Sequence, residues 1–283
     1  MDDTQRKSDF IDVGTAKLCY EEQGQGTPVI MIHGGGLDLH NWDSQFDVLA
    51  EHYRAIRYDV RCYGRSMTSE PGAFSYHEDL LHLMQNLGLS KAVIMGLSLG
   101  GYVAIDFALA HPDMVLALIP VSPGLTGYEF KSKAYLEWGR EMQEAKSLDE
   151  AVDVFMRYWT DGPSRTPDQV DPGVRDKVRQ IEMNSFANFF PSMGQNREER
   201  LQPPAIGRLA EIHVPTLVIV GDVDMPEIHE VADVIKNAVP GAKKVVIKGG
   251  AHLVNMERPQ EFNAAVLEFL STIATPESGK GSG

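Results

Sequence analysis

The stretch that decides the fold is "VIMGLSLGGYVAIDFALA", residues 93–110, where an apolar β-like run breaks at glycines around Ser98 and continues as an apolar helical pattern. Glycine, any residue, serine, any residue, glycine is a short pattern that chance produces often, and a serine before a helix is also a good N-cap. The context is more specific than the letters. A strand running straight into a sharp turn and then a helix is the setting of a nucleophile elbow, in which the serine backbone is strained and side chains on the flanking glycines would collide with the neighbouring strand and helix.

A serine hydroxyl attacks only when a base takes its proton, so the reading requires a later histidine held by a carboxylate. The chain has nine histidines. "KGGAHLVNMERPQEF" puts His252 in a loop between a strand and a helix, and "PTLVIVGDVDMPEI" delivers Asp222 and Asp224 just past a buried strand. The order Ser98, Asp224, His252 is the order this type of sheet requires, although Asp222 lies one step nearer the strand and competes for the role of the acid. "HGGGLD", residues 33–38, supplies bare backbone N–H groups after another strand. Gly35 with Leu99 is the expected pair of oxyanion donors, each worth roughly 3 kcal/mol in the transition state. The same loop offers neither the G-x-G-x-x-G nor the G-K-[ST] ending of a phosphate cradle.

Outward from this constellation, short β-like runs alternate with helical patterns, as in a mostly parallel sheet covered by helices. "FIDVG" and "KLCYEEQG" read as an opening hairpin turning at Gly14 and Thr15, and Phe74 to Leu87 reads as a helix ended by Gly88. From Pro123 to about Ile212 only helical patterns remain, punctuated by prolines. The expected division is therefore residues 1–123 and 213–273 as one α/β core, 124–212 as an inserted helical lid, and 274–283, "PESGKGSG" in composition, as a disordered tail.

With 283 residues, 43% of them hydrophobic, the chain can bury a large core, and a net charge of −14 disfavours nucleic acid and anionic membranes as partners. No apolar run is long enough to span a bilayer and no secretory h-region opens the chain, so a cytoplasmic location is expected. Cys19 and Cys62 are too few for a disulfide framework and read as reduced thiols. No histidine pair has metal-binding spacing, and no cofactor or metal is expected.

Taken together, "HGGG" with Trp42 nine residues after His33, "YDVRCYGRS", "GLSLGG", "GDVDMP" and "GGAHLVNMERPQEF" resemble the α/β-hydrolase fold family over residues 10–272. The resemblance implies an eight-stranded, mostly parallel sheet with a helical lid after the sixth strand. It also implies Ser98 as nucleophile, Asp224 as acid, His252 as base, and Gly35 and Leu99 as the oxyanion hole. Two positions depart from the family pattern: Cys62 and Ala251 stand where glycine is common.

The expected activity is cleavage of a small carboxylic ester or lactone through an acyl-enzyme. C–C bond hydrolysis, perhydrolysis or haloperoxidase-like chemistry by the same triad, and ligand sensing without turnover, are the alternatives. Gly36, Trp159, Met183 and Phe186 are the candidate substrate-binding residues, on the ground that pockets form between a rigid core and a mobile cap. Arg157, Arg165 and Arg175 could grip an anion or simply cover the lid. His33, Asp59 and Arg61 are expected to brace the oxyanion loop. A monomer or a homodimer would serve equally.

Overall fold

A computed structural model describes residues 6–192 and 195–273; the expected tail at 274–283 lies outside them. Eight main strands form one sheet: β1 (Lys7–Asp12), β2 (Ala16–Gln23), β3 (Pro28–Ile32), β4 (Arg54–Tyr58), β5 (Ala92–Leu97), β6 (Val115–Val121), β7 (Leu217–Gly221) and β8 (Lys243–Ile247). Their spatial order is β1-β2-β4-β3-β5-β6-β7-β8, with β1 and β2 antiparallel to their neighbours and the pairs from β4 onward parallel. A short strand, Met67–Thr68, adds to β2.

The central strands are apolar throughout because helices cover both faces of a parallel sheet. All of β5, AVIMGL, is buried. Helices α1 (Asp43–Ala50), α2 (Tyr76–Asn86), α3 (Leu99–Ala110), α7 (Pro226–Ala238), α8 (Val254–Glu257) and α9 (Pro259–Leu270) belong to the core. Trp42, Phe46, Phe107 and Phe262 fill it with no exposed surface.

The lid carries α4 (Lys133–Glu144), α5 (Leu148–Phe155), a π-helical turn at Met156–Asp161, and α6 (Pro172–Ser192). Serines at 132 and 147 cap the first two helices by accepting the N–H groups of Tyr135 and Glu150. Two details correct the sequence reading. Phe74 lies outside α2, in a short strand Ala73–Phe74 that pairs with Arg197–Glu198, so the stretch between β6 and β7 is not wholly helical. Two-residue strands have no periodicity to read, which is why the pattern missed both. Among the described residues no helix is long and apolar enough to cross a membrane.

Candidate active site

Four loops meet at the carboxyl ends of β3, β5, β7 and β8, the edge where open α/β sheets present their ligands. The sharpest is the turn after β5. Ser98 has φ 53° and ψ −107°, a strained backbone for a residue with a side chain. Its surroundings hold it there: its N–H donates to the Val121 carbonyl at 2.9 Å, and its own carbonyl accepts from Gly101 (3.0 Å), Tyr102 (3.2 Å) and Gly124 (3.0 Å). Such strain costs on the order of 1–3 kcal/mol and persists only when it is over-determined in this way. A Cβ on Gly96 would run into the carbonyl of Gly100, and one on Gly100 would overlap the backbone at the end of β3. The strand, turn and helix can meet this closely only as glycine.

Of the two carboxylates after β7, the one bonded to the histidine is Asp224. His252 Nδ1 lies 3.0 Å from Oδ2 and 3.2 Å from Oδ1 of Asp224, and both side chains are almost completely buried. Asp224 Oδ1 also accepts the N–H of Met225 at 2.7 Å, which fixes the carboxylate plane. Asp222 instead accepts the N–H of Gly249 at 2.6 Å and braces the turn before the histidine loop. The ring of Trp159 lies against the imidazole, with centroids 4.4 Å apart.

The loop after β3 lies beside the first residue of α3: a Cβ on Gly35 would sit 3.7 Å from Leu99 Cδ1. Leu99 opens the helix, so its N–H has no acceptor within it. His33 holds this loop from below, donating from Nδ1 to the Gly34 carbonyl at 2.8 Å while Nε2 accepts the N–H of Val60 at 2.9 Å. Burial pushes its pKa down to about 4, so it stays neutral and structural. Asp59 accepts the N–H groups of Leu39 and Arg65, both at 2.7 Å, and Arg61 grips Asp79 through two bonds of 2.8 and 2.7 Å. His33 and Asp59 thus hold backbone in and just after the loop, whereas Arg61 bonds Asp79 and Thr15 away from it.

Ser98, Gly35, Leu99 and His252 line one cavity of about 450 Å³, whose walls are mostly apolar. Gly36, Trp159 and Phe186 also line it, together with Phe155 and Phe190. Gly36 has φ 76°, and a Cβ there would meet the rings of Phe155 and Phe186. Met183 does not reach the cavity. It sits one turn before Phe186 on α6 and is packed against the core instead. A second cavity, of about 560 Å³, meets the first at Ser98 and is far more polar, with tyrosines, Glu198 and Arg200 in its walls. Among the described residues no cluster of histidine, cysteine and carboxylate side chains could hold a metal ion.

The alpha/beta hydrolase fold model matches residues 27–259. The chain belongs to that family. It is 28% identical, over 85% of its length and 92% of the relative's, to a pimeloyl-[acyl-carrier protein] methyl ester esterase of Yersinia enterocolitica. Among solved structures, a hydrolase from Pseudomonas aeruginosa superposes with a TM-score of 0.76 at 28% identity, covering 93% of this chain and 98% of that one. A thermophilic esterase from Thermogutta terrifontis, solved with malate bound, gives a TM-score of 0.73 at 28% identity and covers 94% and 98%.

This hydrolase departs from its family at two positions, and both are locally accommodated. Cys62 takes φ 73°, the left-handed conformation that explains the usual glycine, and its Sγ lies 3.6 Å from Thr68 Oγ1 at the wall of the polar cavity. Ala251 is fully buried and is not among the positive-φ residues, so a methyl group fits there. Its N–H donates to Glu257 at 2.8 Å, and the other oxygen of Glu257 pairs with Arg165 of the lid at 2.6 Å. Arg175 is likewise committed, to Asp161, and Arg157 to Glu141. None of these three arginines lines either cavity at Ser98. Arg200 does, and no sequence signal marked it: it follows a two-residue strand in a stretch without pattern.

Proposed function

We propose that the protein is a serine hydrolase of small carboxylic esters or lactones. The observation that carries this reading is that His252, bonded through Nδ1 to the buried Asp224, lines the same cavity as Ser98, Gly35 and Leu99. The esterases among its relatives support it.

Ser98 Oγ forms a bond to the substrate carbonyl carbon as His252 Nε2 takes its proton, and the carbonyl electrons move onto oxygen facing Gly35 and Leu99. Asp224 keeps the other ring nitrogen protonated and stabilises the imidazolium. When the carbon–oxygen bond breaks, the proton on His252 goes to the leaving oxygen and an acyl-serine remains. Water then gives its proton to His252 and adds to the acyl carbon. Collapse returns that proton to Ser98 and releases the acid. The ring of Trp159, packed against the imidazole, holds it in place through both steps.

The insertion at residues 124–212 acts as the lid that shuts water out of the apolar cavity, with Gly36, Trp159 and Phe186 at the substrate. The test is Ser98→Ala against a short-chain p-nitrophenyl ester. Loss of all but a trace of turnover, with an unchanged unfolding temperature, is the expected result; full activity would overturn the mechanism.

A further inference from the structure

Ser98 stands at the junction of two cavities of unlike character, and an ester has two halves to place. His252 and Gly35 line only the apolar cavity. The leaving oxygen has to reach His252, so the alcohol departs on that side and the acyl half extends into the polar cavity.

The polar cavity carries a built anchor. Tyr102 lies one turn along α3 from Ser98, and its hydroxyl donates to Glu198 Oε1 at 2.9 Å. Glu198 Oε2 accepts Nε of Arg200 at 3.2 Å, and the guanidinium lies over the Tyr102 ring, 5.4 Å from its centroid. Arg200 is thus held from one edge and one face. No group among the described residues takes its terminal Nη1 and Nη2, which form the fork that fits a carboxylate through two parallel bonds. Its side chain is 57% exposed, which puts the fork at the cavity's rim, away from the nucleophile. Glu198 engages Nε alone, so its carboxylate offsets part of the guanidinium charge without occupying the fork.

Resting on the ester-hydrolase reading, we propose that the polar cavity is an acyl subsite for monoesters of dicarboxylic acids, with Arg200 binding the distal carboxylate. The lid arginines singled out in the sequence have no part in it, since each is already paired.

The experiment compares monomethyl esters of dicarboxylic acids, from succinate to suberate, with methyl alkanoates of the same chain length. The wild-type enzyme is expected to prefer the acid-ended ester at the length that spans Ser98 to Arg200. Arg200→Gln should cut that preference about tenfold through KM, a modest factor because the fork is partly solvated, and Arg200→Lys should restore part of it. Because each ratio is taken within one protein, a general loss of folded enzyme cancels. Equal ratios in wild type and Arg200→Gln, or a preference for the acid on the alcohol half in ω-acetoxy carboxylates, would overturn the subsite while leaving the hydrolase reading intact. Failure to hydrolyse the methyl alkanoates and p-nitrophenyl acetate alike would overturn both.

Discussion

Gly100→Ala puts one methyl group between α3 and the end of β3. The new Cβ would lie 2.8 Å from the His33 carbonyl oxygen and closer still to that of Ile32, where ordinary contacts begin at 3.4 Å. The obstacle is backbone, so no side chain can swing away, and strand and helix must part by several tenths of an ångström or more. Overpacking of this kind costs about 3 kcal/mol, which for a chain of this size is a fall of roughly 6–12 °C in Tm. The displaced end of β3 carries the Gly34–Gly36 loop, so kcat should fall by about 10²-fold as the oxyanion donors move. Gly139→Ala is the control for stability alone, because it sits inside α4 with nothing within 4 Å of its Cβ but lines the apolar cavity. The same substitution there should stabilise by up to about 1 kcal/mol. Calorimetry on both variants and ester turnover of Gly100→Ala check the reasoning. A Gly100→Ala protein with wild-type Tm and kcat would refute it.

Asp106, buried behind the elbow and accepting the Thr126 hydroxyl at 2.7 Å, has its carboxyl pushed up to about 6 by burial. The folded chain therefore holds this proton more tightly than the unfolded one, whose aspartate titrates near 3.9, and stability present below about pH 4 is lost as pH rises through 6, by on the order of 3 kcal/mol. Asp106→Asn keeps the acceptor without the charge, so denaturant unfolding at pH 4 and pH 8 should show a flatter pH dependence; an unchanged dependence would contradict the assignment. Glu257→Ala strips a nearly buried carboxylate from both Arg165 and the Ala251 N–H, and should destabilise by about 3 kcal/mol while lowering kcat more than it raises KM, because the histidine loop loses its tie to the lid. Steady-state kinetics with an unfolding curve separates the two effects, and a wild-type kcat would sever the proposed link.

Much of this architecture was legible in the chain because the signals were long or stereochemically forced. The run into Ser98, the hairpin turning at Gly14 with φ 87°, and α2 closing before Gly88 with φ 67° all depend on local geometry that few residues satisfy. The residues alone left Asp222 and Asp224 in competition and only the family resemblance pointed to Asp224, since two carboxylates two residues apart differ only in which backbone and ring nitrogens they face. The substrate walls were half legible. Aromatic residues at helical spacing announced a lid, but which of them face the cavity depends on how α6 is rotated over the core, and Met183 turned away while Phe190 turned in. Arg200 carried no signal because its placement rests on a two-strand pairing between distant segments.

The central claim is that Ser98 is a nucleophile activated by His252 and Asp224. Reaction of the whole protein with a fluorophosphonate, followed by intact mass and peptide mapping, tests it most directly. One adduct per chain is predicted, on Ser98, and its rate should collapse in His252→Ala. No adduct, or one on a different serine such as Ser122 at the same rate in both proteins, would contradict the account.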